Sequence, residues 1–432
     1  MKYFSTNKIS TKVSFKEAVI KGLAPDKGLY FPESITPFSP DLLNSGKDLN
    51  EICFAYIQQF VGDEIPEDVL KTIIAETINF PLPIVEIEKD VYSLELWHGP
   101  TCAFKDVGAR FLARCLSYFI KDQKEKVTIL VATSGDTGSA VANGFYDVDG
   151  IDVVILYPKG KVSKIQEQQL TTIGKNISAI EVKGTFDDCQ RIVKLAFNDD
   201  ELNSKMNLSS ANSINVARFL PQAFYYFAAY EQLKDKTKDI VFSVPSGNFG
   251  NLTAGMFAQK VGLPVAKFIG GTNANDIVPQ YLITGSYNPR PSVSTISNAM
   301  DIGDPSNFAR ILELHNKEHA KVKDTLIGYA YSDDETRAAM KDISDRTGYL
   351  CEPHGAIAYL ALKAYQKDND CQGIILETAH PAKFHDVVEP VIGKKVEIPE
   401  RLKEYLTREK KADLMDNTFA SFKSYLLKRV PA

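Results

Sequence analysis

Lys105 stands in an unusual setting for a lysine. It falls within residues 95–114, ELWHGPTCAFKDVGARFLAR, between Ala103-Phe104 and Asp106-Val107-Gly108, with Trp97 and Phe111 close in sequence. Desolvation disfavours an ammonium and lowers its pKa, which frees a neutral amine to act as a nucleophile. The stretch also fits a lysine that snorkels from a helix start, its stem packed on the aromatic rings. Two loops of small residues bear on that choice. In SGNFGN, residues 246–251, Gly247 and Gly250 let backbone N–H groups approach an anion, and Asn248 and Asn251 add donors. A helix start beyond the loop contributes the positive end of its dipole. The loop is neither a Walker loop nor G-x-G-x-x-G, and a plain strand-to-helix turn has the same composition. In TSGDTG, residues 133–138, Ser134, Gly135, Thr137 and Gly138 precede a second helix start and suit a carboxylate or another small anion. The alternative is an N-cap made by Asp136 or Thr137. Asp136 is an odd neighbour for an anion unless it accepts a hydrogen bond.

Other groups compete for attention. His315-Asn316-Lys317-Glu318-His319 matches the inverted zinc-protease pattern H-x-x-E-H, with both imidazoles on one face if the segment is a helix. Its Lys and Glu content reads instead as a solvated helix, and no third ligand is evident, so no metal is expected. His380 and His385 flank Pro381-Ala382-Lys383-Phe384 and are expected as site-wall residues or as a layer behind it. His98, just before the lysine, either orients that loop or is a satisfied buried histidine. Arg218 can bond a phosphate monoester bidentately; as bare sequence it is equally a helix-surface ion pair.

The elements that must position these groups alternate. Residues 91–96, 126–132, 151–157, 177–182, 239–245, 265–270 and 373–376 read as strands, and 109–120, 139 onward, 187–197 and 252–261 as helices. Residues 216–233 read as one long apolar helix. That alternation predicts an α/β fold with parallel sheets flanked by helices. Three small-residue loops follow three buried strands, and a parallel sheet gathers such loops at its carboxyl edge, where ligands bind. The leading residues, 1–90, carry helical patterns at 15–21, 49–60 and 66–77, with a break at Asn79-Phe80-Pro81-Leu82-Pro83. The expected organisation is an N-terminal subdomain, 1–90; a smaller α/β domain, 91–235, with the lysine and SGDTG loops; a larger α/β domain, 236–400, with SGNFGN; and a helical tail, 401–432, its last helix near 413–429.

Composition narrows the classes. The 432 residues carry a net charge of −5, with 44% hydrophobic and 24% charged residues, ordinary for a globular chain. No basic block tracks a phosphodiester backbone, so nucleic acid is not an expected partner. No apolar run is long enough to span a bilayer, and MKYFSTNKIS lacks the apolar core of a signal peptide. The six cysteines are scattered without C-x-x-C, which fits reduced thiols and a cytoplasmic protein.

A nucleophilic lysine together with a phosphate cradle suggests pyridoxal 5′-phosphate, which needs an amine for its Schiff base, a phosphate site and a partner for its ring nitrogen. HGPTCAFKD, TSGDTGSA, ANSINVAR, PSGNFGN, SNAMDIGDPSNF and ETAHPAKF, with GLYFPE at 28–33, resemble the threonine synthase family in its long-chain bacterial–fungal form. The resemblance implies pyridoxal-phosphate fold type II, the tryptophan synthase β-like fold, with the cofactor between two domains. It implies Lys105 as the Schiff-base lysine and catalytic residue. Gly247, Asn248, Phe249, Gly250 and Asn251 become the loop for the cofactor's phosphate, and Thr378 the partner of the pyridine nitrogen. Asn212, Ser213 and Arg218 fall at the substrate's phosphate, and Ser134, Asp136 and Thr137 near its carboxylate. A hydroxyl at Thr378 cannot hold a pyridinium as a carboxylate would, which makes the ring a weaker electron sink. The implied reaction converts O-phospho-L-homoserine and water to L-threonine and phosphate, in a monomer or weak dimer. A phospho-lyase giving 2-oxobutyrate and a non-catalytic ligand-binding relative are the alternatives; retention of Lys105 with the whole loop argues against the latter.

Overall fold

The computed structural model describes residues 1–39, 42–44, 46–122 and 126–430. Two mainly parallel sheets organise it. The larger has six strands in the order Leu326–Ala330, Lys267–Thr272, Ile240–Pro245, Gln372–Glu377, Val91–Glu95, Ile84–Glu88. Only its last strand runs antiparallel. The smaller has five parallel strands in the order Asp413–Asp416, Ile177–Lys183, Ile151–Pro158, Val127–Ala132, Asn207–Ser210. Val127–Ala132 is buried along its whole length, covered on both faces by helices, and so reads as an unbroken apolar run.

Several elements depart from the sequence-based expectation. Val91–Glu95 was expected to open the unit 91–235, yet it pairs with Gln372–Glu377 and lies in the larger sheet. The single helix expected over 216–233 is three pieces: Val216–Phe219, a tighter turn Leu220–Ala223, and Phe224–Gln232. Pro221, which has no N–H and crowds the preceding turn, explains the break. The last helix is Phe419–Leu427; Asp413–Asp416 before it is an edge strand paired with Ile177–Lys183, so the tail is not wholly helical.

The leading residues form a three-stranded antiparallel sheet, Val13–Ser14, Lys2–Ser5, Tyr30–Pro32, and the helices Leu49–Val61 and Glu67–Thr77. Asp48 and Glu51 start the first of these two helices with a reciprocal capping box. Tyr3, Phe15, Tyr56 and Phe60 share one contiguous core with Phe224, Phe227 and Phe257 of the central helices. The leading segment therefore folds onto the α/β body and shares its core.

Arg310 pins this segment in place. It is fully buried, stacks over Phe219 at 4.1 Å, and donates to the carbonyls of Tyr30 (3.2 Å), Ser213 (3.0 Å) and Ile214 (2.6 Å) and to Asn307 Oδ1 (2.6 Å). Burial draws its pKa down to about 9. Arg310→Met would fill the space yet leave those buried acceptors without donors, each costing about 1–3 kcal/mol. The expected outcome is a fall of at least about 2 kcal/mol in stability, read as a lower urea midpoint.

Candidate active site

The carboxyl ends of five strands converge on one pocket. Val91–Glu95 leads through residues 96–104 to Lys105; Val127–Ala132 leads to Thr133-Ser134; Asn207–Ser210 to Asn212-Ser213; Ile240–Pro245 to Ser246–Phe249; and Gln372–Glu377 to Thr378. Lys105, Ser134, Thr137, Asn212, Ser213, Arg218, Gly247, Asn248, Phe249, Gly250, Asn251 and Thr378 all line this pocket. Each was a sequence-based candidate.

Lys105 is the first residue of the helix Lys105–Ile120, one turn earlier than the sequence suggested. Its loop is held rigidly. Asp106 takes the Thr101 N–H (2.9 Å) and hydroxyl (2.6 Å) on its two oxygens, Phe104 N–H donates to the Thr378 carbonyl (2.8 Å), and Arg218 Nη1 donates to the Lys105 carbonyl (3.0 Å). Gly99 is required here, since a Cβ would lie 2.4 Å from Asp106 Oδ2. Burial brings the Lys105 amine down to about 8; the Asp136 carboxylate opposes that shift, and the Arg218 and Lys383 cations add to it. An amine so placed is substantially neutral near pH 8.

The SGNFGN loop has the form of an anion cradle. Gly247 must be glycine, because a Cβ would sit 2.6 Å from Met300 Cα. Phe249 adopts a left-handed conformation (φ 58°) just before the helix Gly250–Lys260, which has no side-chain cap. Strain of that kind on a non-glycine residue gathers at ligand sites. Asn248 donates to Ser213 Oγ (2.7 Å) and accepts from Ser306 N (2.6 Å), joining the loop to the segment of Asn212 and Ser213. Asn251 Oδ1 accepts from Tyr226 (2.6 Å), while its Nδ2 is buried with no partner among the described residues. An orphaned buried donor at a helix start, beside a glycine that allows close approach, fits a phosphate.

Arg218 is buried in the pocket wall, and its pKa falls to about 10 through burial. Its Nη1 donates to a carbonyl rather than an acid, and it is buried, so it is not the surface ion pair its sequence also allowed. Asp136 is the candidate that the structure relocates. Its carboxylate pairs with the fully buried Lys383 ammonium at 2.6 Å and accepts from Gln166 Nε2 at 2.9 Å, behind the wall of the pocket. Burial alone would raise its pKa; the Lys383 and Lys105 side chains hold it at about 2. The cap of its helix is Gly135, and Thr133 Oγ1 takes the N–H groups of Gly135 and Gly138.

Sequence reasoning missed Lys383, Glu352 and His354. Lys383 sits in the ETAHPAKF segment, but nothing in the sequence marks it as buried. Thr378 donates to Glu352 Oε1 at 3.1 Å, and Glu352 bonds His354 Nδ1. His380 caps the short helix Pro381–Phe384, and burial, followed by Arg401, pushes its pKa down to about 4. His98 bonds Glu95 at 2.8 Å and stacks on Trp97, and His385 bonds the Ala382 carbonyl. None of these three lines the pocket, which leaves for His380 and His385 the other expected place, a layer behind the wall. The H-x-x-E-H segment is not one helix: Phe308–Leu314 ends before it, and His319 opens His319–Thr325. His315 is buried, bonding Ile311 O and Thr325 Oγ1, whereas His319 bonds the Tyr281 and Leu282 carbonyls. Among the described residues, no cluster of three or more His, Cys, Asp or Glu is placed to hold a metal ion.

A lysine amine of lowered pKa, a phosphate cradle and a buried hydroxyl across the pocket are the parts that a pyridoxal-phosphate enzyme requires. The family profile described as pyridoxal-phosphate dependent enzyme matches residues 73–374. Those described as threonine synthase N terminus and threonine synthase, C-terminal match 2–78 and 355–426. The chain is 46% identical to the threonine synthase of Haemophilus influenzae, over 96% of this chain and 97% of that one. It is 37% identical to that of Saccharomyces cerevisiae, over 96% and 95%. The crystal structure of threonine synthase from Escherichia coli superposes with a TM-score of 0.93 at 41% identity, covering 99% of this chain and all (100%) of that one. The pyridoxal-phosphate-bound threonine synthase from Brucella melitensis gives 0.91 at 35% identity, covering 100% of each chain. Maize serine racemase, 18% identical with a TM-score of 0.54 over 72% of this chain and 92% of its own, shares the fold. This is a fold-type-II pyridoxal-phosphate enzyme. Within that class the chain belongs to the threonine synthase family.

The lowered pKa of Lys105 has a measurable consequence. Only the neutral amine attacks an aldehyde, so capture of pyridoxal phosphate by the cofactor-free protein should speed up about tenfold per pH unit and level off near pH 8. Stopped-flow absorbance measures it; a rate still climbing to about pH 10 would indicate an ordinary lysine.

Proposed function

We propose that the protein converts O-phospho-L-homoserine and water to L-threonine and phosphate, with pyridoxal 5′-phosphate held as a Schiff base on Lys105. The observation that carries this reading is the buried Arg218 guanidinium, which shares a pocket with Lys105 and a separate phosphate cradle. One pocket then offers two anion sites, SGNFGN for the cofactor and the Asn212-Ser213-Arg218 wall for a phosphorylated substrate. When bound, the cofactor supplies the electron sink that makes protons at Cα, and then Cβ, of an amino acid acidic.

The chain's own groups do the rest. The Lys105 amine, released when the substrate amine takes its place, is the base for the Cα proton and for the Cβ proton that follows. Arg218 neutralises the phosphate as it leaves Cγ, through charge-assisted bonds that strengthen as charge develops. Ser134 and Thr137 face the pocket for the substrate carboxylate, from a helix start held by the Asp136–Lys383 pair. A proton returned to Cγ by the Lys105 ammonium makes the methyl group and leaves Cβ electrophilic; water then adds there, and a proton returned to Cα completes the product. The released phosphate, retained by Arg218, is the base for that water, since no histidine other than His354 lines the pocket and His354 is committed to Glu352.

The six free cysteines support a cytoplasmic location. Among the described residues, no helix is long and apolar enough to cross a membrane.

Incubation with O-phospho-L-homoserine, followed by separate assays of phosphate, threonine and 2-oxobutyrate, tests the reading: equal phosphate and threonine are expected, and phosphate matched by 2-oxobutyrate would indicate the lyase. In Arg218→Ala, substrate affinity should fall by ten- to a hundredfold, corresponding to roughly 1.5–3 kcal/mol for a lost charge-assisted bond, with cofactor affinity held. Loss of cofactor with unchanged substrate affinity would place Arg218 elsewhere.

A further inference from the structure

Thr378 faces the pocket with its one proton already committed. Its hydroxyl donates to Glu352 Oε1 at 3.1 Å. If it turned to donate into the pocket, two oxygen acceptors would be left facing each other without a proton between them. A threonine hydroxyl has one donor and two acceptor lone pairs, so what it offers the pocket is an acceptor.

Glu352 is fully buried and surrounded by donors. Besides Thr378 it accepts from His354 N (2.9 Å), Gly355 N (3.3 Å) and His354 Nδ1. These donors are neutral. His354 Nε2 accepts from Ala299 N at 3.3 Å, which leaves the ring's one proton on Nδ1, pointing at Glu352. Glu377 lies alongside, its own carboxyl raised well above the usual range by burial and then by Glu352. The start of the helix Pro353–Gln366, which Glu352 caps, supplies partial positive charge but no full cation. A buried carboxylate with no full cation among its hydrogen-bond partners favours positive charge in the adjoining pocket, which Thr378 lines and where Lys105 already feels it.

We propose that Glu352, acting through Thr378, keeps the ring nitrogen of the bound cofactor protonated: the pyridinium N–H donates to Thr378 Oγ1, whose own proton is held by Glu352. The hydroxyl is the visible partner and the carboxylate behind it supplies the charge, so the ring is a strong electron sink despite having no acid in direct contact. Glu352 is a positioning residue here. The inference rests on the cofactor reading of this pocket and extends it to the protonation state.

Holoenzyme reconstituted with pyridoxal phosphate carrying ¹⁵N in the ring tests it by solid-state NMR. The wild type should show a pyridinium nitrogen. Glu352→Gln removes the charge and leaves one acceptor oxygen for the helix cap, and should move the resonance to that of an unprotonated ring. Thr378→Val should do the same and Thr378→Ser should restore the wild-type signal; this second pair decides the matter even if Glu352→Gln does not fold. An unprotonated ring in the wild type, or a pyridinium that survives both Glu352→Gln and Thr378→Val, would overturn the proposal. A wild-type protein in which borohydride does not fix the cofactor to Lys105 would instead overturn the cofactor reading beneath it.

Discussion

The buried ion pair between Lys383 and Asp136 is the contact on which the arrangement of the pocket depends. The Lys383 ammonium, fully buried, lies 2.6 Å from Asp136 Oδ1 and donates to the Thr101 carbonyl at 2.9 Å. Three segments therefore meet at one charge: the loop before Lys105, the helix start of TSGDTG in the smaller sheet, and the turn after Gln372–Glu377 in the larger one. A pair of this kind need not add net stability, but removing one partner strands the other's charge at a cost of about 3–5 kcal/mol. Its value to the site is register. It also places a positive charge near Lys105 that helps to keep the amine neutral, while Asp136 opposes the effect.

The second sheet-to-sheet connection runs through the phosphate loop. Asn248 and Asn307 both donate to Ser213 Oγ, at 2.7 and 3.0 Å, so the cradle and the substrate-phosphate segment share one hydroxyl. Met300 closes over Gly247, and its segment is fixed by Asp301, which accepts from Thr295 Oγ1 at 2.7 Å and Asn273 Nδ2 at 2.9 Å. The proposed cofactor and substrate sites are in this way built from the same few hydrogen bonds.

What the sequence made legible was local. Glycines at positions 247 and 250, a lysine among aromatics, and small-residue loops after apolar runs each announce a backbone or desolvation requirement within a few residues. The parallel-sheet rule brings the small-residue loops together, whereas Asn212, Ser213 and Arg218, which also line the pocket, were placed by the family resemblance. What stayed hidden was pairing across long sequence separations. Val91–Glu95 is a plain apolar strand whose partner, Gln372–Glu377, no periodicity identifies. Asp136, an odd neighbour for an anion, finds its partner in Lys383, a pairing across the chain that no local pattern announces. Glu352 and His354 carry no motif, and their role emerges only when Thr378 is seen to have spent its proton. His315 and His319 show the reverse case: the solvated helix read there is two short helices joined by a turn, and His315 is buried.

The central claim is that Lys105, and no other lysine, carries the cofactor. Borohydride reduction of the protein loaded with pyridoxal phosphate, followed by proteolysis and mass mapping, tests it most directly. The label is expected on the peptide containing Lys105 and absent from Lys105→Ala. A label on any other lysine, including Lys383, would contradict the account.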